Sequence, residues 1–549
     1  MKQALIGLGV LLCLLTSVNA QLTVGLTKAV KNESPGYTLL APNNSTSTYL
    51  IDYCGRAVHT WVSTHAVGFR ALLMANGDLI RMQRLNTSPI LQGAGGGIEK
   101  RAWDGRLLWN YVMSDSTRVM HHDFTVLPNG NILVLVAERY SKQEAWARGR
   151  DTAYLADDFW IDAVYELSAI GSDDAEIVWK WTLWDHLVQE LDPSKEGYGK
   201  ISEHPERVDI NFTHAIQGKD YSDFSHGNSI DYNPTTDQIL ISARNFNEVW
   251  IVDHSTTTAE ASTNVGGKRN NGGRILYRWG NPRAYGVGSA TDQKLFGQHN
   301  AHWIQEGLPH AGSIMIFNNG LNRPGGQYAS VDIIDAADEG TGNYPPPIDG
   351  FYEPKDLEFT YVGDTIGSLQ SVFMSGAQFT TSGNLRVTQA MRGIITETDP
   401  NLGTVWQYVC PINIDGAIQQ GDNPSSNGVF NTQWYSVSYP AFVGRGLSLG
   451  VPLEINPIDI GCSITTVQEE PSMLDQSAQL SFAPNPCELG GTIAIPESVK
   501  SITISSIWGQ VLQTITVSGG EQFISLSELP SGCYAFRADN GEVILVTKM

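Results

Sequence analysis

Positive charge is scarce in this chain. Its 549 residues include 35 lysines and arginines against 57 aspartates and glutamates, which gives a formal net charge of −22. Because no basic stripe is present to neutralise a phosphate backbone, we do not expect nucleic acid as a partner. An acidic surface of this kind suits a protein that is soluble outside the cell.

Long apolar runs are also lacking after the first twenty residues. Those residues combine Lys2, an apolar stretch over residues 4–18 and the small-residue site Val18-Asn19-Ala20, a pattern typical of a cleaved signal peptide. The apolar stretch is short for a membrane span, although an uncleaved anchor is the alternative. We therefore predict a signal peptide over residues 1–20, an exported protein and no transmembrane segment.

Cysteines are few, and none has the spacing of a zinc site. Five remain after the predicted signal peptide: Cys54, Cys410, Cys462, Cys487 and Cys533. Export permits disulfides, and the odd count leaves at least one cysteine unpaired. The positions favour pairing of Cys487 with Cys533, and of Cys54 with Cys410, near the two ends of the repeat region. The sequence also shows no Walker loop, no GxGxxG and no aspartate-rich magnesium motif. We therefore expect no cofactor and no metal.

Short strand patterns separated by Asn-Gly and glycine-rich turns dominate from about residue 36, with little helical periodicity. One unit recurs: a turn such as Asn129-Gly130, a buried strand, a polar strand and a closing strand with an aromatic residue. The closing strands are residues 57–61, 106–109, 176–179, 274–279, 357–361 and 403–406. We predict an all-β fold with a six-bladed β-propeller over residues 21–445. A long β-sandwich or β-solenoid is the alternative.

The repeat pattern ends near residue 445. A polar linker is predicted over residues 446–478, and a small β-sandwich over residues 479–549. The last segment contains Pro484-Asn485-Pro486, a Trp-Gly-Gln turn at 508–510, a Leu-Pro-Ser-Gly-Cys-Tyr run at 529–534 and Lys548. It resembles the C-terminal sorting domains of type IX secretion in Bacteroidetes-type bacteria. That resemblance implies the type IX secretion machinery as a partner, and secretion or attachment at the outer cell surface. A carbohydrate-binding or spacer domain is the alternative.

Three histidine-bearing segments each stand at the start of a repeat. They are Met120-His121-His122-Asp123, Ser225-His226-Gly227-Asn228 and Gln298-His299-Asn300-Ala301-His302. The innermost strands of a propeller line one channel, so we expect these segments to converge. The alternatives are histidines with structural roles only, or a zinc or copper site drawn from His121, His122, Asp123, His226, His299 and His302.

Such a cluster predicts chemistry on an anionic group. A neutral imidazole is a nucleophile, and a second histidine can act as general acid or base. Arg244 and Arg323 offer several N–H donors to an anion, and Asn228 offers an uncharged one. A surface turn is the alternative position for Arg323. Together these groups predict sulfuryl or phosphoryl transfer.

The motifs across residues 36–445 resemble the bacterial arylsulfate sulfotransferase family, which uses no nucleotide donor. The resemblance rests on His-His-Asp before Pro-Asn-Gly-Asn, His-x-Asn-Ser-Ile with Ser-x-Arg beyond it, and Gln-His-x-Ala. Phe-Asn-Asn-Gly-x-x-Arg at 317–323 and Ser-Gly-Ala-Gln at 375–378 also fit.

The resemblance implies a ping-pong reaction in which a phenolic sulfate ester is the donor and a phenol is the acceptor. His299 would be the nucleophile that becomes a sulfohistidine. His226, Asn228 and Arg244 would hold the sulfate oxygens, and one of His121 and His122 would be the acid/base. The presence of Gly227 and His302 departs from the family pattern, so a non-catalytic surface-binding propeller and a metal-dependent hydrolase remain as alternatives.

Overall fold

The computed structural model describes most of the chain. The described residues are 22–30, 34–85, 93, 95–154, 158–212, 222–336, 338, 340–447, 449–463, 481–483, 490–495, 499–506, 511–518, 520–527, 529–530, 532–539 and 543–548. The predicted signal peptide, residues 448 and 464–478 of the predicted linker, the 484–486 and 508–510 motifs and Cys487 lie outside them.

Strands dominate the structure. The strands up to residue 253 are β1 (Gly25–Ala29), β2 (Gly36–Leu40), β3 (Ser47–Ile51), β4 (Arg56–Val62), β5 (Val67–Leu73), β6 (Leu79–Arg84), β7 (Gly96–Arg101), β8 (Leu107–Val112), β9 (Arg118–Val126), β10 (Ile132–Ser141), β11 (Asp158–Ile170), β12 (Asp174–Thr182), β13 (Leu187–Val188), β14 (Val208–Asp209), β15 (Gly227–Asn233), β16 (Gln238–Ala243) and β17 (Glu248–Asp253). The next are β18 (Tyr277–Trp279), β19 (His299–Trp303), β20 (Ile314–Asn318), β21 (Ser330–Ile334), β22 (Phe359–Tyr361), β23 (Gly376–Phe379), β24 (Leu385–Gln389), β25 (Ile394–Thr398), β26 (Thr404–Val409), β27 (Ile412–Asn413), β28 (Gly416–Ala417), β29 (Gln433–Ser436) and β30 (Val451–Pro452). The C-terminal strands are β31 (Ser481–Ala483), β32 (Gly490–Ile495), β33 (Ser501–Ser506), β34 (Val511–Thr516), β35 (Gly520–Ser525), β36 (Gly532–Ala538) and β37 (Val543–Lys548).

Helices are short. They are α1 (Lys142–Ala147), α2 (Thr258–Ala261) and 3₁₀ turns at Thr152–Tyr154, Leu183–His186, Ile201–Glu203, Arg244–Phe246, Pro282–Tyr285, Ala390–Arg392 and Pro440–Phe442. The protein is therefore all-β, as the sequence predicts. No helix in the described ranges has the length and apolar character that a membrane crossing requires.

Six antiparallel sheets of four or five strands occupy the described part of residues 25–452. In strand order they are the first sheet (β29-β2-β3-β4-β30), the second (β5-β6-β7-β8), the third (β9-β10-β11-β12), the fourth (β15-β16-β17-β18), the fifth (β19-β20-β21-β22) and the sixth (β23-β24-β25-β26-β1). The six closing strands expected from the sequence coincide with or overlap β4, β8, β12, β18, β22 and β26, each the fourth strand of its meander.

The closing tryptophans connect successive sheets. Within the described residues, an indole N–H donates to a backbone carbonyl in a strand or loop of the following unit in five places: Trp61 to Ala102, Trp109 to Asp174, Trp181 to Gly273, Trp279 to Pro354 and Trp406 to Tyr53. The last of these bonds joins the sixth sheet to the first. A buried indole N–H needs such an acceptor, and here each acceptor lies in the neighbouring unit.

The first strands of the six meanders line a common space. β5 packs beside β9, β9 beside β15, β15 beside β19, and β19 beside β23. A cavity of about 680 Å³ is lined by residues from all of these strands and from β29. In β9 and β15 the residues that line this cavity run from the middle of the strand to its end.

The disulfide expectation for Cys54 was wrong. Cys54 pairs with Cys462, with Cα atoms 5.7 Å apart, and Cys410 is a buried free thiol. The reason is that the chain after residue 450 returns to the first sheet through β30, which pairs with β4 next to Cys54. The 54–462 bridge therefore fastens the end of the repeat region to its first sheet. The predicted Cys487–Cys533 pair involves Cys487, which lies outside the described residues.

Two further sheets follow in the C-terminal segment: β31-β32-β35 and β34-β33-β36-β37. Their buried faces share one apolar cluster that includes Ile493, Ile504 and Phe536. Alternation of such residues along each strand explains why this segment forms sheets with an apolar and a polar face.

A largely buried histidine clasp joins the third and fourth sheets. His254 Nε2 lies 3.0 Å from Glu166 Oε2, and Nδ1 lies 2.8 Å from Asp237 Oδ1. Tyr232 donates to the same Asp237 oxygen, and Lys268 lies 3.2 Å from the other. Burial lowers the pKa of His254, but the two carboxylates outweigh it and raise that pKa to about 9.

The clasp predicts a pH-dependent stability. The folded pKa exceeds the ordinary value of 6.5, so the histidine's contribution is complete below pH 6.5 and is lost as the pH rises through about 9. The pKa values of Glu166 and Asp237 are lowered, so their contributions are lost in acid. We expect His254→Gln to cost about 3 kcal/mol of unfolding free energy near neutral pH, and to flatten the decline towards pH 9. Urea unfolding across pH measures this.

A matched control is His310→Gln, which removes the more exposed His310–Glu358 pair. It should cost at most about 1 kcal/mol. Equal losses in the two variants would contradict the assignment of a buried clasp.

Candidate functional site

The three histidine segments meet on three adjacent inner strands: His121 and His122 lie within β9, His226 directly precedes β15, and His299 begins β19. β-Bulges re-aim their side chains: the ladder register shifts at 121–123 in β9, at Asn228 in β15 and at 300–301 in β19. His122 has φ +54° and His226 has φ +51°, an uncommon conformation for residues other than glycine. Such outliers persist where the surrounding structure imposes them, which is typical of functional sites.

His122 lies at the centre of the cluster. Its ring centroid is 5.1 Å from that of His121 and 4.7 Å from that of His226. The pKa of His122 is lowered well below 6.5, first by burial and then by the charges of His226, His121, His299 and Arg244. The structure therefore brings together five of the seven site residues predicted from the sequence, namely His121, His122, His226, His299 and Arg244.

His299 is held in one tautomer. Its Nδ1 lies 2.8 Å from Asn319 Oδ1 and 3.1 Å from the carbonyl of Gly297. The Asn319 amide is oriented by its own N–H₂ group, which donates to the carbonyls of Ser371 and Met374. Both neighbours of Nδ1 are thus acceptors, so Nδ1 carries the proton and Nε2 keeps its lone pair.

The charge state of His299 follows from its surroundings. Burial, and then the positive charge of Arg244, lower the pKa of His299 to about 3, although the bond to Asn319 opposes this. The imidazole is therefore neutral at physiological pH. A neutral ring with a free Nε2 is a competent nucleophile.

His226 is oriented by a carboxylate. Its Nδ1 lies 2.5 Å from Asp223 Oδ2, which fixes the Nδ1 proton and directs Nε2 away from the carboxylate. The His226 carbonyl accepts a hydrogen bond from the backbone N–H of Arg244 at 3.2 Å. The turn that carries Arg244 is thus tied directly to the second histidine segment.

Arg244 begins the 3₁₀ turn between β16 and β17 and is buried. Its guanidinium lies 5.4 Å from the ring of Phe373, and Nη1 is 3.2 Å from Asn245 Oδ1. Its charge lowers the pKa of both His299 and His122. A planar cation next to a neutral nucleophile provides a place for an anionic group.

Asp162 was missed in the sequence. It lies in β11, where its Oδ1 is 3.0 Å from His121 Nε2 and its Oδ2 accepts the Gly227 N–H at 2.6 Å. The Asp162–His121 contact is short but departs from the direction of an aligned hydrogen bond, so we describe it as an ion-pair contact. No local motif marks Asp162, because its role depends on pairing across two sheets.

An aromatic wall was also missed. The rings of Phe69 and Phe430 stack at 4.8 Å, and Phe69 stacks on His122 at 5.6 Å. Phe69 has φ +88° and precedes Arg70 in β5. Its position near the start of an inner strand, like those of the histidines, is the signal that could have identified it.

The other two predicted site residues, Asn228 and Arg323, make contacts outside this cluster of side chains. Asn228 donates from Nδ2 to the carbonyl of Gln298 at 2.7 Å, so it supports the strand that carries His299. Arg323 donates to Ser330 Oγ, and its guanidinium lies against Phe296 and Tyr328. Within the described residues, no contact between Arg323 and the histidine cluster is seen.

Asp123 and His302 face the large cavity together with Arg70. Asp123 Oδ1 lies 3.3 Å from Arg70 Nε, and Oδ2 accepts the N–H of Ile230. Across the described ranges, no group of three or more His, Cys, Asp or Glu residues is arranged to hold a metal ion. The ligand set suggested by the sequence is therefore divided between the cluster and the cavity.

Two family models match the chain. The model described as arylsulfotransferase (ASST) matches residues 23–338, more than half of the 549 residues. The model described as a secretion system C-terminal sorting domain matches residues 481–549. The C-terminal segment is thus a type IX sorting domain, and the protein is exported, to be secreted or held at the cell surface.

No curated protein matches the chain. Similar solved structures include a protein of unknown function from Bacteroides caccae, at 11% identity over 73% of this chain and 99% of that one, with a TM-score of 0.39. A putative 6-phosphogluconolactonase from Bacteroides fragilis NCTC 9343 has 10% identity over 73% and 98%, with a TM-score of 0.35. A catalytically inactive virginiamycin B lyase from Staphylococcus aureus has 8% identity over 71% and 90%, with a TM-score of 0.33.

Proposed function

Because the chain belongs to the arylsulfotransferase family, we propose that it transfers a sulfuryl group from a phenolic sulfate ester to a phenolic acceptor through a sulfohistidine at His299. The observation that carries this proposal is the state of His299: a neutral ring with its proton fixed on Nδ1 by Asn319, while its Nε2 makes no hydrogen bond to any of the described residues. Arg244 supplies positive charge beside it. This is a nucleophile next to an anion-binding group.

The reaction has two half-steps. In the first, His299 Nε2 attacks sulfur, the bond from sulfur to the phenolic oxygen breaks, and the leaving phenolate takes a proton from a histidine. In the second, an acceptor phenol returns a proton to that histidine, its oxygen attacks sulfur, and the N–S bond breaks. The sulfohistidine keeps its Nδ1–H bond to Asn319, so the ring is cationic and remains a good leaving group.

Arg244 and His226 stabilise the charge that spreads over the sulfuryl oxygens. Preorganised donors of this kind act strongly where water is excluded. Asn228 supports the strand of His299, and binding of the substrate by Arg323 stays a prediction. The stacked rings of Phe69 and Phe430 provide an apolar face of the kind that a phenol ring packs against.

The proposal includes the architecture. The six sheets are taken as the blades of a propeller over residues 21–445, supported by the tryptophan bonds that join the sixth sheet back to the first. A signal peptide at 1–20, a linker at 446–478 and a sorting domain folded as a β-sandwich at 479–549 complete it. The shared apolar cluster of the two C-terminal sheets supports the sandwich.

The test is release of 4-nitrophenol from 4-nitrophenyl sulfate, with and without phenol as acceptor. Transfer predicts faster release with phenol and formation of phenyl sulfate in equal amount. Release that ignores phenol and falls with a chelator would instead indicate metal-dependent hydrolysis. A folded protein that releases nothing with any phenol would favour a binding propeller.

Gly93 offers a prediction that separates local geometry from stability. A β-carbon at Gly93 would lie 2.2 Å from both Cε1 and Nε2 of His122. Because displacement of a reacting group by about 1 Å can cost on the order of 100-fold, we expect Gly93→Ala to lower kcat/KM by about that factor.

The matched control is Gly130→Ala. Gly130 also has a positive φ, of +88°, but a β-carbon there would meet none of the described residues within 4 Å. It should lower the melting temperature by a similar amount without loss of activity. Equal kcat/KM values for the two variants would contradict the proposed position of His122.

A further inference from the structure

We propose that Asp162, His121 and His122 form a proton relay in which His122 alone meets the phenolic oxygen and His121 stores the proton between the two half-reactions. This inference rests on the proposed sulfuryl transfer and deepens it. His122 is the catalytic acid and base, while His121 and Asp162 are positioning residues that act through it.

The geometry of the chain of contacts carries the proposal. The Nδ1 atoms of His121 and His122 are 2.8 Å apart, so exactly one proton can lie between them in a hydrogen bond. On its other side, His121 Nε2 lies 3.0 Å from Asp162 Oδ1. All three side chains are buried. Both nitrogens of His121 thus face a side chain, whereas Nε2 of His122 makes no hydrogen bond to any of the described residues.

The carboxylate fixes the state of His121. Asp162 Oδ2 accepts the N–H of Gly227, which favours the ionised carboxylate. Burial alone would raise the pKa of Asp162, yet its contacts with His121, Ser225 and Gly227 hold it below the ordinary value. His121 Nε2 therefore keeps its proton facing Asp162 throughout the cycle.

Two protonation states of the pair follow. In the acid state, His121 is an imidazolium beside the Asp162 carboxylate, its Nδ1–H donates to His122 Nδ1, and His122 is neutral with a proton on Nε2. When Nε2–H is given to the leaving phenolate, the shared proton moves from His121 Nδ1 to His122 Nδ1. His121 is then neutral, and His122 presents a bare Nε2 to the acceptor phenol.

The second half-reaction reverses this movement, so protons balance over the full cycle. The acceptor's proton enters at His122 Nε2, and the shared proton returns to His121. The charge thus never has to rest on His122, whose pKa is lowered by burial and by the neighbouring histidines. Of these two histidines, His121 is the one in contact with a carboxylate, that of Asp162, which favours a positive charge there.

The experiment compares two donors that differ in their need for an acid. The leaving group of phenyl sulfate is a basic phenolate that requires protonation. The leaving group of 4-nitrophenyl sulfate is 4-nitrophenolate, which is stabilised without a proton. In Asp162→Asn, the amide N–H₂ would face His121 Nε2, so this nitrogen could no longer carry a proton. His121 could then not store a proton for delivery through His122. We expect kcat/KM to fall about 100-fold for phenyl sulfate and less than about 10-fold for 4-nitrophenyl sulfate.

His121→Gln is the second variant, because it leaves the Gly227–Asp162 bond in place if Asp162→Asn does not fold. It should show the same split between donors. Glu166→Gln removes a buried carboxylate from the same strand, outside the relay, and should change the two donors equally. A fall of equal size on both donors in Asp162→Asn and His121→Gln would overturn the relay. An inactive wild type on 4-nitrophenyl sulfate would instead refute the proposed function.

Discussion

Replacement of His299 by alanine is expected to lower acceptor-dependent release of 4-nitrophenol by at least about 10⁴-fold, since loss of a covalent nucleophile removes the reaction path itself. The folded structure should survive, because the buried ring of His299 contacts polar groups such as Asn319 and the Gly297 carbonyl and belongs to none of the apolar clusters of the adjacent sheets. The measurement is steady-state kcat/KM with phenol present, together with thermal unfolding.

The His299→Ala variant also admits rescue. A cavity next to Arg244 should accept free imidazole, which can receive the sulfuryl group in place of the missing side chain. The matched control is His310→Ala, a more exposed histidine of the same sheet that pairs with Glu358. It should retain activity. Full activity of His299→Ala would place the nucleophile at another histidine, such as His226.

The second large effect is expected at Arg244. Removing one preorganised donor from a water-excluded site typically costs about 10²–10³-fold in kcat, and we expect this loss for Arg244→Ala. Arg244→Lys should recover only part of it, because an ammonium keeps the charge but lacks the planar pair of donors. The effect should appear in kcat more than in KM, since charge on the sulfuryl oxygens is redistributed as transfer proceeds.

The control for Arg244 is Arg392→Ala. Arg392 lies in the corresponding 3₁₀ turn of the sixth sheet and is exposed, and position 390 in that turn carries alanine where the fourth sheet carries Arg244. Its removal should leave both constants unchanged. Equal behaviour of the two arginine variants would contradict a specific anion site at Arg244.

The repetitive part of the fold could be predicted because its signals are local. Asn129-Gly130 marks a tight turn, and the closing strands end in aromatic residues such as Trp61 and Trp406. The structure assigns these segments to a turn and to fourth strands. Local signals do not predict that the chain comes back to the first sheet after the repeats have ended. There β30 pairs with β4, which is why Cys54 pairs with Cys462 and not with Cys410.

The candidate site likewise contains residues that local sequence predicts and residues that only the tertiary structure identifies. His122, His226 and His299 could be nominated because each opens a repeat, and equivalent positions of a cyclic structure approach one another. Asn319 and Asp162 could not be assigned their contacts, because each contact depends on ladder register: Asn319 follows β20, which pairs with the strand of His299, and Asp162 lies in β11, two strands from His121. The bulge at His122 and the left-handed backbone of His226 depend on ladder register and on contacts with neighbouring strands, which composition does not specify.

The most direct measurement is to mix the protein with excess 4-nitrophenyl sulfate without acceptor, quench it rapidly under basic conditions, and map the sulfuryl adduct by mass spectrometry. The account predicts a burst of one 4-nitrophenol per chain, an SO₃ group on the peptide that carries His299, and its loss when phenol is added before the quench. A burst with the adduct on another residue, or phenyl sulfate formed without any enzyme adduct, would contradict the sulfohistidine at His299.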